Sequence, residues 1–289
     1  MKNFGTLFCF GLGYSAMALS RRLDAEGWTI RGTCQNMERR NALAALGIKA
    51  EVFDGKRRMG SLSVLQNSTH VLLSIPPSLE GDPALRYHAK DIADIGSVRW
   101  VGYLSTTGVY GNHNGNWVDE SSILKPTSLR SKQRVSAEKG WRNWGRKTKI
   151  STQIFRLAGI YGPGRSVLDR IKAGTAVRVS KPGQYFSRIH VEDLATVLSA
   201  SINKPEPDAV YNVCDDEPAD PASVTAYAFN LLGRTPPTEI ALNDAELSPM
   251  AKTFWHDNKR VRNNKIKEQL GVELAFPNYR SGLRNLLSS

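Results

Sequence analysis

Cysteine is scarce in this chain: Cys9, Cys34 and Cys214 are the only three in 289 residues. They lie far apart, and two of them sit in apolar, strand-like runs. That spacing is neither a disulfide framework nor a metal site, and it points to a reducing cytoplasm. Long hydrophobic runs are missing as well, none approaching the roughly 20 apolar residues of a membrane span. The first residues lack the basic-then-apolar layout of a secretory signal, so a cytoplasmic protein without a membrane partner is expected. Internal repeats and low-complexity segments are also missing.

Acidic residues are the third shortage. Asp and Glu number 27 against 39 Lys and Arg, a formal net charge of +12. Much of the excess falls in residues 130–149 and 252–267. Such a surplus suits nucleic acid, an anionic small substrate or a merely solvated basic surface. No zinc-finger spacing, RNA-recognition signature or Arg-rich arm accompanies it, so a small anionic substrate is expected and nucleic acid is not. Hydrophobic residues make up 40% of the chain. That content and length leave room for one large or two modest domains with ample core.

What is present is organised around residues 6–23. The apolar run 7–10 reads as a buried strand. Gly11-x-Gly13-x-x-Ala16 follows at once, and Ala16, Leu19 and Leu23 then recur at helical spacing. Strand, glycine turn and helix in that order make a dinucleotide fingerprint. Gly11 allows the tight turn, Gly13 lets a pyrophosphate approach the backbone, and Ala16 lets helix and strand pack closely. With Tyr14 and Ser15, which open the helix, these are the expected cofactor-binding residues.

Residues 28–34 read as a second strand. A unit that prefers NAD places an Asp or Glu near its end, about 20 residues past the glycines, for the ribose 2′-hydroxyl. Residues 27–37 contain no acid. Gln35 and Asn36 stand there instead, followed by Arg39 and Arg40. The expected cofactor is NAD(P), with NADP(H) preferred through Gln35 and Arg39; the alternative is that both arginines face solvent. Asp54 closes a third strand over 49–53, suited either to an adenine amino group or to an ordinary turn. Further strands are expected at 69–77 and 98–104. Their alternation with helical segments predicts an α/β fold, a doubly wound parallel sheet of Rossmann type with ligands at the carboxyl ends of the strands. Ser105, Thr106, Thr107 and Tyr110 follow one such end.

The segment Ser105-Thr-Thr-Gly-Val-Tyr-Gly111 resembles the Ser-Ser-x-x-Val-Tyr-Gly segment of the extended short-chain dehydrogenases, the NAD-dependent epimerase/dehydratase group. Three more blocks match in the same order. They are Phe155-Arg-Leu-Ala-Gly-Ile-Tyr-Gly-Pro-Gly164, Arg188-Ile-His-Val-Glu-Asp-Leu-Ala195 and Val210-Tyr-Asn-Val-Cys214. With the glycine fingerprint they span nearly the whole chain. The resemblance implies that Thr106 donates a hydrogen bond to a substrate oxygen.

It also implies a Tyr-x-x-x-Lys pair on the helix after that strand, and here the chain departs from the pattern. None of its nine tyrosines is followed four residues later by lysine. Aligned on Ala137-Glu138, Arg130 stands where the tyrosine belongs and Arg134 where the lysine belongs. Arginine stays charged across the working range and cannot serve as general acid or base. Arg134 can donate to a cofactor ribose and Arg130 can clamp an anionic substrate; otherwise both are surface charge. Tyr110 becomes the candidate proton donor, with Tyr161 a weaker candidate that also lines the substrate site. The alternative for Tyr110 is a ring packed in the crevice wall.

His190 and Asp193 read as structural. Residues 215–217 look like a metal cluster but, without a partnered His, read better as a turn, so no metal is expected. Lys259-Arg-Val-Arg-Asn263 resembles a family segment that meets a sugar nucleotide's diphosphate, which makes Arg260 a candidate substrate ligand. The helix bearing Arg130 would, by the same resemblance, lie near a homodimer interface. The division expected is an NAD(P)-binding domain of 1–159 and 186–215, with a smaller C-terminal substrate lobe of 160–185 and 216–289. Three functions follow: an atypical oxidoreductase acting on an anionic, nucleotide-sugar-like molecule; a non-catalytic NADP(H)-binding sensor; and a nucleotide-sugar epimerase or dehydratase.

Overall fold

The structure, a computed structural model, describes residues 4–288. In chain order its strands are β1 (Thr6–Phe10), β2 (Thr29–Cys34), β3 (Lys49–Val52), β4 (His70–Leu73), β5 (Trp100–Thr106), β6 (Trp117–Val118), β7 (Ser151–Leu157), β8 (Gly159–Tyr161), β9 (Val179–Ser180), β10 (Arg188–His190), β11 (Val210–Val213), β12 (Ile240–Ala241) and β13 (Arg260–Val261). The helices are α1 (Tyr14–Ala25), α2 (Met37–Ala45), α3 (Pro83–Asp94), α4 (Leu129–Thr148), α5 (Val167–Lys172), α6 (Val191–Asn203), α7 (Pro221–Leu231), α8 (Pro249–His256), α9 (Asn264–Glu268) and α10 (Tyr279–Ser288).

Two compact units result. The first comprises Met1–Thr106, Leu129–Arg156 and Leu194–Tyr211; the second comprises Thr107–Ser128, Leu157–Asp193 and Asn212–Ser289. Residues 107–128, 157–159, 186–193 and 212–215 therefore group with the second unit, whereas the sequence suggested the first. Local bonding explains the first of these shifts: the His113 and Gly115 amides both donate to the Asn258 carbonyl.

The first unit is built on a parallel sheet of order β3-β2-β1-β4-β5-β7-β11. Its inner strands are apolar along their length because helices cover both faces of such a sheet. Leu7, Phe8, Cys9 and Phe10 are all fully buried, as are Val71 and Leu72. Strand order reverses between β1 and β4, the place where sheets of this kind open a crevice at their carboxyl edge. Phe10 pairs with Leu73 and Leu73 with Tyr103, so Gly11, Ser74 and Leu104 come level at that edge.

Several polar groups within this core are paired. The Trp100 indole donates to Gln153 Oε1 at 2.8 Å. His70 packs its ring between Trp28 and Trp100, and burial together with the Arg99 charge lowers its pKa to about 4. Asp82 caps α3 by accepting from the Leu85 amide, with Pro83 opening the helix, a favoured start for a helix. On α4, Trp141 is fully buried in the core and meets Trp144 edge-on.

The second unit carries three short parallel strand pairs, β8–β10, β6–β13 and β9–β12. Its main core joins Tyr161 of β8 with Leu168 and Ile171 of α5 to Ala228 of α7 and to Tyr279 and Leu283 of α10. Asp193 accepts from the Ala275 and Phe276 amides at 2.8 and 2.9 Å, the structural role expected of it. Among the described residues no helix is long and apolar enough to cross a membrane.

Candidate functional site

The glycine turn is pinned from β2. Thr33 Oγ1 accepts from the Gly11 amide at 2.9 Å and the Thr33 carbonyl accepts from the Leu12 amide at 2.8 Å. Gly11 has φ +90°, a region that side chains other than glycine rarely adopt. Gly32 of β2 lets the turn sit this close: a Cβ there would lie 2.4 Å from the Cys9 carbonyl oxygen and 3.0 Å from Leu12. Neither Thr33 nor Gly32 stood out in the sequence, where both read as ordinary strand residues.

Gly13 is different. Its φ is −92°, and a Cβ added there would meet no protein atom within 4 Å. Packing therefore does not demand glycine at 13, and a Cβ would instead protrude into the open cradle. Gly13 is also the N-cap of α1, with no side-chain cap bond and no acid in the first turn. Ser15 and Ala16 are buried behind it. A helix that begins without a side-chain acceptor leaves amide donors and positive dipole for an anion.

At the end of β2, Cys34 directs its thiol to the Asn36 and Glu51 carbonyls, and Gln35 is exposed. Asn36 caps α2 by accepting from the Arg39 amide. The exposed Arg39 then reaches back so that its Nη2 lies 3.4 Å from the Leu12 carbonyl oxygen. Asp54 is exposed and accepts from the Lys56 amide at 2.9 Å, the bonding of an ordinary turn.

Thr106 ends β5, which runs two residues beyond the strand expected from sequence. Arg134 holds this strand end, its Nη1 donating to the Leu104 carbonyl and, at 3.2 Å, to the Tyr103 hydroxyl. Its guanidinium thus has protein partners, where the sequence suggested a ribose. Arg130, one turn earlier on α4, is exposed and without a partner among the described residues. One turn later, Glu138 is buried, accepts from Ser105 Oγ at 2.5 Å and pairs with Arg156 at 2.8 Å. From sequence alone, Glu138 served only as an alignment marker. The available signal was that it is the only acid on a helix rich in Lys and Arg.

In the second unit, two expectations are corrected. Tyr110 is fully buried and donates to Asn212 Oδ1 at 2.6 Å. A phenol enclosed and bonded in this way is a packed wall residue, not an accessible proton donor. Tyr161 is also buried, and its hydroxyl lies so close to Gly282 that a Cβ there would come within 2.0 Å of it. Burial, reinforced by the Asp215 and Asp193 charges, pushes its pKa up, which disfavours proton release. Arg260 is held in β13, donates to the Gly115 carbonyl at 2.7 Å, and lies 5.2 Å from the ring centres of both Trp117 and Tyr185. Arg262 lies 5.0 Å from the Trp117 ring. The 215–217 turn is divided among separate tasks: Asp216 binds Asn263 and Lys267, Glu217 pairs with Arg280, and Asp215 is buried. No group of residues suited to hold a metal occurs among the described residues.

Comparison with known proteins agrees with this architecture. A functionally unknown conserved protein from Silicibacter pomeroyi superposes with a TM-score of 0.90 at 48% identity, covering 98% of both chains. A dTDP-glucose 4,6-dehydratase from Streptomyces venezuelae, solved with NAD bound, shares the fold at 16% identity and a TM-score of 0.79, over 98% of this chain and 95% of that one. Protein YeeZ of Escherichia coli K12 is 25% identical over 279 residues, 92% of this chain and 94% of YeeZ. The family model for the NAD dependent epimerase/dehydratase family matches residues 90–214, from α3 to the end of β11. Residues 90–214 thus match the NAD dependent epimerase/dehydratase family within a chain whose glycine turn and sheet order accord with that match.

Proposed function

We propose that the protein binds a nicotinamide dinucleotide at the glycine turn of its first unit and acts as an atypical oxidoreductase on a small anionic molecule. The observation that carries this reading is Gly13, a glycine that packing does not need, set at the uncapped start of α1. Gly11 and Gly13 would receive the pyrophosphate, with the first-turn backbone of Tyr14, Ser15 and Ala16 as donors. When bound, the nicotinamide supplies or accepts the hydride. Thr106 donates a hydrogen bond to the substrate oxygen. Arg39 and the lack of a carboxylate at the end of β2 favour NADP(H). Arg260 and Arg262, stacked beside Trp117, suit a substrate that carries phosphate or carboxylate, of nucleotide-sugar type.

A second reading, an NADP(H)-responsive sensor without turnover, is favoured by one specific observation. The phenol nearest the strand end in sequence, Tyr110, is enclosed, and the helix where the family keeps its tyrosine carries Arg130 and Arg134. An epimerase ranks third, because epimerisation depends most directly on that missing phenol.

Calorimetry with NADPH and NADH, on wild type and Gly13→Val, tests the shared part of these readings. Micromolar binding that Gly13→Val abolishes supports them. Wild-type binding no tighter than about millimolar, a loss of roughly 4 kcal/mol relative to a micromolar site, would sink them all. Consumption of NADPH with any anionic carbonyl compound then separates oxidoreductase from sensor.

A further inference from the structure

The end of β5 is tied to α4 at two successive helical turns. Arg134 donates to the Leu104 carbonyl and the Tyr103 hydroxyl. Four residues on, and so on the same helix face, Glu138 accepts from Ser105 Oγ at 2.5 Å. Glu138 is itself held from β7: Arg156 donates through Nη2 to Oε2 at 2.8 Å and through Nε to both carboxylate oxygens at 3.2 Å. Both side chains are about 95% buried. Three consecutive strand residues, Tyr103, Leu104 and Ser105, are thus gripped immediately before Thr106.

A fork of this kind fixes direction as well as distance. The planar guanidinium sets the plane of the carboxylate, and the carboxylate sets the Ser105 hydroxyl. Ser105 and Thr106 are adjacent in a strand, so their side chains point to opposite faces. Holding Ser105 against α4 therefore presents Thr106 away from α4. An ion pair is not needed merely to fill this space, because an apolar pair of similar volume is often as stable or more so. Directional control is what the charged pair adds.

We infer that Glu138 and Ser105 are positioning residues: with Arg156 they clamp the end of β5 and orient the Thr106 hydroxyl toward the bound nicotinamide and substrate oxygen. On α4, the helix where the family places a proton-transfer pair, Arg134 and Glu138 bond to the strand instead. The inference rests on the proposed dinucleotide site.

The test uses the full chain, fluorescence of bound NADPH and calorimetry, on wild type, Ser105→Ala, Ser105→Thr and Thr106→Ala. Ser105→Ala leaves the Glu138–Arg156 pair intact, so the protein stays folded, as a thermal melt verifies. The expected result is that Ser105→Ala and Thr106→Ala change the emission of bound NADPH alike and weaken its binding about three- to tenfold, while Ser105→Thr restores both. Wild-type emission and affinity in Ser105→Ala, alongside a changed Thr106→Ala, overturns the clamp and leaves the dinucleotide reading standing. Should wild type bind neither NADPH nor NADH, the dinucleotide reading fails and the clamp's role falls with it.

Discussion

The Tyr110 hydroxyl donates to Asn212 Oδ1 at 2.6 Å, and both residues are fully buried. Asn212 is committed elsewhere as well: its amide donates to Glu120 Oε1 and its Nδ2 to the Arg262 carbonyl. Replacing Tyr110 with Phe keeps the ring but leaves a buried acceptor short of a donor, which costs about 1–3 kcal/mol. Urea denaturation of Tyr110→Phe is expected to show that loss, with NADPH affinity within about twofold of wild type. Unchanged stability together with abolished turnover would restore Tyr110 as the proton donor.

Arg39 gives a cofactor-selective prediction. It is exposed, and its Nη2 stands 3.4 Å from the Leu12 carbonyl of the glycine turn. A charge-assisted bond to a 2′-phosphate is worth roughly 1.5–3 kcal/mol, or at least about tenfold in affinity. Arg39→Ala should therefore weaken NADPH about tenfold and NADH hardly at all, as titration calorimetry with both nucleotides would reveal. Equal weakening of the two would mean that Arg39 supports the turn without reading the phosphate.

Buried histidines should cost this protein stability in mild acid. His70 and His190 both have pKa values lowered to about 4, chiefly by burial. An unfolded histidine titrates near 6.5, so between these values the unfolded chain binds the extra protons. The stabilisation is fully present above about pH 6.5 and is lost as pH drops through 4, by up to about 3 kcal/mol for each group. Asp82 works in the opposite direction. Burial lifts its carboxyl to about 6, so its contribution is present below about pH 4 and is lost as pH rises through 6. Burial also raises the Glu120, Asp193 and Asp215 carboxyls and lowers His88, so the His70 contribution is read as a difference between two proteins. His70→Phe should lose less of its melting temperature, or gain more, than wild type between pH 6.5 and 4; an identical slope in the variant would show that His70 does not titrate there.

Much of the first unit was legible because a doubly wound sheet writes itself as buried strands. Residues 7–10 and 71–73 are apolar without interruption, and Gly11 and Gly13 stand directly after the first of them. The contacts that secure the turn were not legible. Gly32 looks like a weak strand residue until the Cys9 carbonyl and Leu12 are seen against it, and Thr33 looks like any β-branched filler. Tyr110 misled for the opposite reason: proximity in sequence to Thr106 says nothing about burial, which depends on Asn212, 102 positions away. The Ser105–Glu138–Arg156 cluster joins residues 33 and 18 positions apart. Spacing within one helix or strand cannot reveal such a contact.

That cluster also makes a prediction about stability that is independent of any ligand. Glu138 and Arg156 are both buried, and neither pairs with solvent. Arg156→Met would leave a carboxylate with Ser105 as its remaining side-chain partner, and removing one member of a buried pair costs about 3–5 kcal/mol. Glu138→Leu alone takes the carboxylate partner from the buried Arg156 guanidinium, at a cost of similar order. The double variant strands no charge and should recover most of the loss, so the two single changes are far from additive. Urea denaturation of the four proteins in the cycle measures this directly. If the double variant equals the sum of the singles, the pair acts as two separate charges, and the strand end depends on its other contacts with α4, chiefly Arg134.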